Sequence, residues 1–268
     1  MNAVPRVLML PGYTQNSYIL SGKMGAIRRA LKDTAELVYI DPNPQTPEET
    51  ARAWWFAEQR EDSRHFLKLD ETILYLRMML EQHGPFDGVW GFSQGAACAA
   101  ILTALVENPT MHPAFSASSI VPGSKWPPKP FKFAILSSGF LPLDPRLKQM
   151  FEAPLQTPSL HILGRGDTIV GTGEFARSWC MCETVHLTLW LDADRSLPLV
   201  DAFDDARVEW HDGGHHIPNK ASWRNFFKAY LGEFAVGGQG ADGAKALPSP
   251  SGAVSPPGSD RGVSPGKL

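Results

Sequence analysis

Residues 86–97 read Phe86-Asp87-Gly88-Val89-Trp90-Gly91-Phe92-Ser93-Gln94-Gly95-Ala96-Ala97. An apolar run leads into the motif Gly-x-Ser-x-Gly, and a run of small residues follows it. This order predicts a strand, a sharp turn at Ser93 and a helix that begins at once, which is the pattern of a nucleophile elbow. Ser93 would then have a strained backbone conformation, with its hydroxyl projecting at the start of the helix. Glycine at 91 and 95 would let the strand and the helix approach closely.

The bare motif is weak evidence, because Gly-x-Ser-x-Gly arises by chance in roughly one of ten chains of this length. Its surroundings strengthen the prediction, since a strand-like run precedes it and a helix-forming run that includes Cys98 follows it. In such an elbow the backbone N–H of Gln94 points into the same space as the Ser93 hydroxyl. We therefore expect Gln94 to contribute one donor of an oxyanion hole.

Composition excludes several classes of protein. The chain has 268 residues, of which 43% are apolar, which is enough for one substantial core. A net charge of −3 without a basic stripe argues against a nucleic-acid partner. No apolar run reaches membrane-spanning length and no signal peptide precedes the first strand-like run, so we expect no membrane segment. Three cysteines form no disulfide framework, and we expect reduced thiols in a cytoplasmic protein.

Apolar runs and helical spacings alternate along the chain. Short apolar runs predict six strands, at residues 6–10, at 37–40, in the run up to Gly91, and at 133–136, 160–163 and 207–210. Helical spacing predicts helices over residues 24–31 with Ser21 as N-cap, over 66–80, from 94 to about 106, over 174–182 and over 223–234. This alternation predicts an α/β fold with a mostly parallel sheet of about six strands and helices on both faces.

The chain divides by composition into one domain and a tail. Residues 1–235 carry all the predicted strands and helices. From residue 236 onward 18 of 33 residues are Gly, Pro or Ser, so we expect residues 236–268 to form a disordered tail.

Two stretches inside the domain lack a clear period. Residues 42–64 are rich in proline at first and then carry Trp54-Trp55-Phe56, which either line a pocket mouth or lid or pack an irregular insertion. Residues 108–132 contain six prolines and four serines, and a loop of this length inside a domain is usually functional or mobile. Both stretches are candidate lids.

Asp167 and His215 each follow a predicted strand, as Ser93 does. The carboxyl ends of parallel strands lie at one edge of a sheet, where ligands bind, so we expect the three side chains to lie close together. A serine hydroxyl needs a base within hydrogen-bond reach, and the base needs an orienting carboxylate. We assign these roles to His215 and Asp167. The competing residues are His211 and His216 for the base, and Asp192, Asp204 and Asp205 for the acid.

A second oxyanion donor is expected from the loop after the first strand, which begins at Pro11-Gly12. Tyr13 is the first candidate for this backbone N–H and Thr14 the second. The alternative is a plain turn. No metal-ligand cluster and no phosphate-binding glycine loop is evident in the sequence, so we expect neither a metal nor a cofactor.

Several motifs together resemble one family. They are Leu10-Pro11-Gly12-Tyr13-Thr14-Gln15-Asn16, Gly91-Phe92-Ser93-Gln94-Gly95-Ala96, Ser138-Gly139-Phe140, Gly166-Asp167 and His211-Asp212-Gly213-Gly214-His215-His216-Ile217-Pro218. The chain is similar over about residues 4–234 to the FSH serine hydrolases, which belong to the α/β-hydrolases and include fungal hydrolases and the animal ovarian-cancer-associated-type hydrolase. Family members often have His where Pro11 stands. The segment 183–205 looks longer than usual in the family.

The resemblance implies hydrolysis of a small-molecule carboxylic ester or acyl thioester. Several fungal relatives resemble thioesterases of polyketide pathways, which release an acyl chain from a carrier protein, and this implies a role in secondary metabolism. The elbow also resembles that of acyl-protein thioesterases, and a general carboxylesterase is a further alternative. The alternative from another class is a hydrolase-fold protein that binds a small molecule with little turnover.

Overall fold

The computed structural model describes residues 4–42, 52–60, 63–119, 122–123, 125–170 and 196–252. The expected helix over 174–182, the cysteines Cys180 and Cys182 and most of the segment 183–205 lie outside these residues. The strands are β1 Arg6–Leu10, β2 Glu36–Tyr39, β3 Phe56–Arg60, β4 Ser63–Leu67, β5 Gly88–Phe92, β6 Phe133–Ser137, β7 Ser159–Gly164 and β8 Ala206–His211. The helices are α1 Ser17–Lys23, α2 Gly25–Leu31, α3 Leu69–His83, α4 Gln94–Glu107, α5 Pro113–Ser116, α6 Ser196–Asp201, α7 Ala221–Glu233 and α8 Ala241–Ala246, with 3₁₀ turns at Pro109–Met111 and Pro145–Phe151.

The predicted α/β fold with a parallel sheet is confirmed. Six strands form one sheet in the order β2-β1-β5-β6-β7-β8, and every neighbouring pair is parallel. All six therefore end at the same edge, and β5 lies near the centre. Strands buried on both faces read as continuous apolar runs, which is why these runs were visible in the sequence.

Alternate residues of each strand enter different cores. In β1, Leu8 and Leu10 face the core that contains α3 and α4, whereas Val7 and Met9 face the core formed with α1, α2 and α7. The side-chain period of two in a strand makes this division. Helix α7 contributes five buried side chains to the second core, namely Trp223, Phe226, Phe227, Tyr230 and Leu231.

Two expected helix starts differ from the structure. Asn16 caps α1 by accepting a hydrogen bond from the N–H of Ile19 at 2.8 Å, and Ser21 lies inside this helix. Phe66 lies in β4, and α3 begins only at Leu69, because Lys68 has a φ of 64° that no right-handed helix accommodates. The spacing of Phe66 from Leu69 matched a helix by coincidence.

The insertion after β2 contains a hairpin. Strands β3 and β4 pair antiparallel, with Phe56 opposite Leu67 and Arg60 opposite Ser63. Trp54 and Trp55 are buried, and the Trp55 ring stacks on Phe66 with centroids 4.8 Å apart. Of the two alternatives for these tryptophans, the structure shows packing of an insertion, and they form no open pocket mouth.

The second expected lid is partly anchored to α3. The Arg77 guanidinium, on α3, donates to the carbonyls of Ala114 and Ser118 and stacks over the Trp126 ring at 4.6 Å. Trp126 in turn donates from Nε1 to the Phe115 carbonyl at 2.9 Å. These contacts anchor Ala114, Phe115, Ser118 and Trp126 to α3 or to one another, and the lid role of the segment 108–132 stays a prediction.

The expected tail is wrong for residues 236–252. The structure forms α8 there, with Ala244 buried against the domain. Arg207 of the edge strand β8 donates to the carbonyls of Ala244 and Leu247, and Ser249 Oγ donates to Glu209 at 2.6 Å. Composition pointed to disorder because the segment has few apolar residues, whereas polar groups on β8 supply the partners. Residues 253–268 lie outside the described part of the chain.

Candidate active site

Ser93 lies between the end of β5 and the start of α4, as the elbow motif predicts. Its backbone has φ 54° and ψ −121°, a strained conformation for a residue with a side chain. A Cβ on Gly91 would fall 2.2 Å from the Gly95 carbonyl oxygen, and one on Gly95 would fall 2.1 Å from the Leu10 carbonyl oxygen. Both positions therefore need glycine, which is the physical content of the motif.

The structure brings Ser93, His215 and Asp167 into one hydrogen-bonded chain. His215 Nε2 lies 2.8 Å from Ser93 Oγ, and His215 Nδ1 lies 2.8 Å from Asp167 Oδ2. Asp167 follows β7 and His215 follows β8, so the carboxyl edge of the sheet assembles all three. A carboxylate only accepts, so Nδ1 carries the proton and Nε2 is left to accept from the serine hydroxyl.

The environment keeps Asp167 ionised. Burial raises its pKa, but the hydrogen bond from His215, the charge of that imidazole and the backbone N–H groups of Val170 and Ile169 outweigh burial and hold the pKa of Asp167 below its usual value. The carboxylate side chain is only 7% exposed. A buried carboxylate with these partners is a fixed negative charge that stabilises a positively charged imidazole.

The competing histidines lie elsewhere. His216 is exposed, and its ring packs edge-on against the buried His211 with centroids 4.8 Å apart. Burial and the neighbouring His216 lower the pKa of His211 to about 4, against the opposing charges of Asp167 and Asp212. The competing acids also lie away from His215. Asp205 pairs with Lys245 just before β8 begins, and Asp204 is the residue before Asp205. Asp192 lies outside the described residues.

The first loop lies directly against the elbow. A Cβ on Gly12 would fall 3.2 Å from the Ser93 Cβ, so the backbone on either side of Gly12 borders the serine. The Thr14 N–H, the second candidate for an oxyanion donor, already donates to the Arg52 carbonyl at 2.8 Å. Gln94 is the first residue of α4, where backbone N–H groups have no partner within the helix. Gly12, which precedes Tyr13, and Gln94 thus border Ser93 from two segments of the chain.

Sequence reasoning missed two features of the site. Phe92 packs its ring against the His215 imidazole with centroids 5.0 Å apart. The Gln94 side chain is buried and bonds to the backbone of Trp54 and Trp55. The adjacency of Phe92 and Gln94 to Ser93 was the only signal available, because neither partner lies nearby in the sequence.

A cleft of about 590 Å³ lies between β4 and the segment that follows β6. Its walls are both apolar and charged, with Ser63, Arg64, Leu141, Pro142, Leu143, Asp144, Pro145, Lys148, Phe151 and Glu152 as lining residues. The Asp144 carboxylate is already paired with Arg146 at 2.8 Å. The cleft therefore presents apolar surface from residues 141–143 and Phe151, with charged groups around it.

Within the described residues, no group of three or more His, Cys, Asp or Glu side chains is placed to hold a metal ion. Among the same residues, no helix has both the length and the apolar character needed to span a membrane.

A parallel sheet, a serine on a strained strand-to-helix turn and a histidine and an aspartate at the same sheet edge define an α/β-hydrolase. The model of the family described as "Serine hydrolase (FSH1)" matches residues 1–227. The chain belongs to this FSH1 serine hydrolase family, and the expected family is confirmed.

Relatives agree with this assignment, and a solved structure shares the fold. The chain is 32% identical to Esterase OVCA2 of Danio rerio, in a match that covers 87% of this chain and 100% of that protein. It is also 32% identical to Esterase OVCA2 of Homo sapiens, covering 86% of this chain and 96% of the relative. The crystal structure of Arabidopsis thaliana SOBER1 superposes with a TM-score of 0.51 at 15% identity, covering 87% of this chain and 99% of that one, which shows a shared fold.

Proposed function

We propose that this serine hydrolase cleaves carboxylic esters through an acyl-enzyme intermediate, with Ser93 as nucleophile. The observation that carries the proposal is the hydrogen-bonded chain from Asp167 through His215 to Ser93, with 2.8 Å at each step. The name of the esterase relatives points to the same substrate class.

In the proposed mechanism His215 removes the hydroxyl proton as Ser93 Oγ bonds to the carbonyl carbon. The carbonyl π electrons move to oxygen, and the resulting oxyanion accepts hydrogen bonds from the backbone N–H groups of Gln94 and Tyr13. The intermediate collapses, the bond to the leaving oxygen breaks, and His215 returns the proton to the departing alcohol. A water molecule then attacks the acyl-enzyme by the same steps, and the acid product is released. Throughout the reaction Asp167 orients the imidazole and stabilises its positive charge.

The cleft suggests where part of the substrate binds. Its apolar wall at Leu141, Pro142, Leu143 and Phe151 suits an acyl chain. It begins four residues after Ser137, whose carbonyl accepts the Ser93 N–H at 2.9 Å. We propose that this wall holds the apolar portion of a small-molecule ester.

Hydrolysis of an acyl thioester is an alternative to hydrolysis of a carboxylic ester. The same acyl-enzyme chemistry serves an acyl thioester, and a carrier-bound polyketide chain remains a proposal that rests on the family resemblance alone. A function like that of acyl-protein thioesterases and a cytoplasmic location also remain proposals. Matched oxoester and thioester substrates with the same acyl group separate ester from thioester preference.

The test measures hydrolysis by wild-type protein and by Ser93→Ala over acyl esters and thioesters of graded chain length. We expect wild-type turnover and covalent labelling by a fluorophosphonate probe, and loss of both in Ser93→Ala with the circular dichroism spectrum unchanged. Residual turnover within tenfold of wild type would overturn the nucleophile assignment. A wild-type protein that binds esters but neither hydrolyses them nor takes the probe would favour the alternative of a binding protein.

A further inference from the structure

The side chain of Gln94 turns away from α4 and bonds to a distant stretch of backbone. Its Oε1 accepts the Trp54 N–H at 3.0 Å, and its Nε2 donates to the Trp55 carbonyl at 2.8 Å. The residue is only 6% exposed. A buried primary amide with both ends satisfied by one dipeptide is a specific pairing, because it needs one acceptor and one donor at fixed separation.

The partner is a short segment, residues 52–55, which we call the strap. The strap also bonds to the first loop: the Arg52 carbonyl accepts the Thr14 N–H at 2.8 Å, and Trp54 Nε1 donates to the Pro11 carbonyl at 2.8 Å. From the opposite side, the Thr72 hydroxyl of α3 donates to the Trp54 carbonyl. The strap is thus bonded to the loop at two points and to the elbow at two more.

The loop and the elbow are the two segments that carry the proposed oxyanion donors. They already touch, since a Cβ on Gly95 would overlap the Leu10 and Pro11 carbonyl oxygens at 2.1 and 2.5 Å. The pairing of β1 with β5 ends at Leu10 and Gly91, and beyond that point the directional bonds through the strap join the loop to the elbow.

We infer that the Gln94 side chain is a positioning residue that, through the strap, sets the Tyr13 N–H at the correct distance from the Gln94 N–H. This inference rests on the proposed acyl-enzyme function. One residue then has two roles: its backbone donates to the oxyanion, and its side chain holds the segment that places the other donor. The effect on catalysis is on the transition state, because ground-state esters carry little charge on the carbonyl oxygen.

Gln94→Met is the principal variant, since methionine has a similar length and neither donates nor accepts in this geometry. We expect kcat to fall by about 10- to 100-fold, the scale of a displaced oxyanion donor, while KM changes little. Affinity for an alkyl trifluoromethyl ketone, which forms a tetrahedral adduct with Ser93, should fall in parallel with kcat/KM. A residue that only supports folding would lower the melting temperature and leave these two quantities unchanged in the folded fraction.

Trp54→Phe tests the other end of the strap with a smaller change. It removes the single bond from the indole Nε1 to Pro11 and keeps an aromatic ring in the buried site. Its matched control is Trp126→Phe, which removes an indole bond of 2.9 Å to the Phe115 carbonyl in the segment held by Arg77. We expect Trp54→Phe to lower kcat and Trp126→Phe to leave it at the wild-type value.

Gln94→Glu adds a pH signature. An ionised carboxylate accepts from Trp54 but repels the Trp55 carbonyl, whereas the protonated acid restores a donor to that carbonyl. The ratio of kcat in Gln94→Glu to kcat in wild type should therefore rise as the pH falls, and the same ratio for Gln94→Met should stay flat.

The outcomes separate the inference from the function it rests on. If Gln94→Met and Trp54→Phe both fold and keep kcat within twofold of wild type, the positioning role is overturned while the hydrolase stands. If Gln94→Met does not fold, Trp54→Phe against Trp126→Phe decides the matter. If Ser93→Ala keeps its turnover, the proposed function itself fails, whatever the Gln94 variants do.

Discussion

His216 packs edge-on against His211, with ring centroids 4.8 Å apart, in the same turn that carries His215. A Cβ on Gly213 would fall 2.2 Å from His216 Cε1, so the glycine makes room for this contact. The His216 ring thus contacts His211, whereas the His215 ring bonds to Ser93 and Asp167. The two adjacent histidines therefore have separate environments.

The first prediction compares His215→Ala with His216→Ala on one ester. His215→Ala should lower kcat by about 10³-fold or more, because the base that takes the serine proton is lost. His216→Ala should keep most of the activity. The double variant Ser93→Ala with His215→Ala should be little worse than either alone, since the residues act as a unit. A dead His216→Ala beside an active His215→Ala would show that the base is His216.

The second prediction concerns Asp167→Asn. The amide offers a donor to His215 Nδ1, so it favours the tautomer with the proton on Nε2, which cannot accept from Ser93. We expect kcat to fall by about 10⁴-fold with little change in KM. Steady-state kinetics with one ester measure both. Turnover near the wild-type value would indicate another carboxylate.

The sequence predicted the sheet, and it predicted that three candidate side chains lie together, for a common reason. Buried parallel strands are continuous apolar runs, and a residue that follows such a run lies at the sheet edge with the others. This condition is met by Ser93, Asp167 and His215. The glycines on either side of Ser93 also indicated a sharp turn, because they allow the strand and the helix to approach closely. Local signals thus sufficed to locate groups that are up to 122 positions apart in sequence.

The features that the sequence could not predict depend on hydrogen bonds between residues far apart in the chain, and local sequence patterns do not show such bonds. The strap and its bonds to Gln94 and Pro11 join residues about 40 positions apart through backbone groups, which every sequence contains. Strands β3 and β4 are mostly polar, and their apolar residues do not alternate with polar ones, so no strand period is visible in the sequence. Helix α8 forms because Arg207 on β8 meets its carbonyls, whereas composition alone suggested disorder. Long-range polar pairing is the common cause of these differences.

The third prediction concerns residues 236–252. A chain that ends after Gly252 should keep the wild-type melting temperature, because the removed residues are Gly-, Pro- and Ser-rich. A chain that ends after Val236 should lose about 2–4 kcal/mol, since Arg207 loses its carbonyl partners and Ala244 its packing. For a domain of this size that is a fall of roughly 5–15 °C. Differential scanning calorimetry measures it, and equal melting temperatures for the two truncations would contradict the docked helix.

The fourth prediction concerns stability in acid, and it begins from two buried histidines. Burial lowers the pKa of His161 from 6.5 to about 3, and burial with His216 lowers that of His211 to about 4. His161 is 1% exposed on β7, where its Nε2 pairs with Ser159 Oγ at 3.0 Å. In the unfolded chain both imidazole rings take up a proton near pH 6.5, whereas in the folded chain they do so only at a much lower pH. The folded protein therefore loses stability as the pH falls below about 6.5.

The expected loss is about 1.4 kcal/mol per pH unit for each such histidine between about pH 6 and pH 4. His161→Gln keeps a partner for Ser159 and removes the titrating ring, so its free energy of unfolding should depend on pH less steeply by about that amount. Urea unfolding of wild type and His161→Gln at pH 4.5, 5.5 and 6.5 measures the two slopes. Equal slopes in His161→Gln and wild type would show that His161 is protonated in the folded protein at these pH values, and would contradict its burial as a neutral ring.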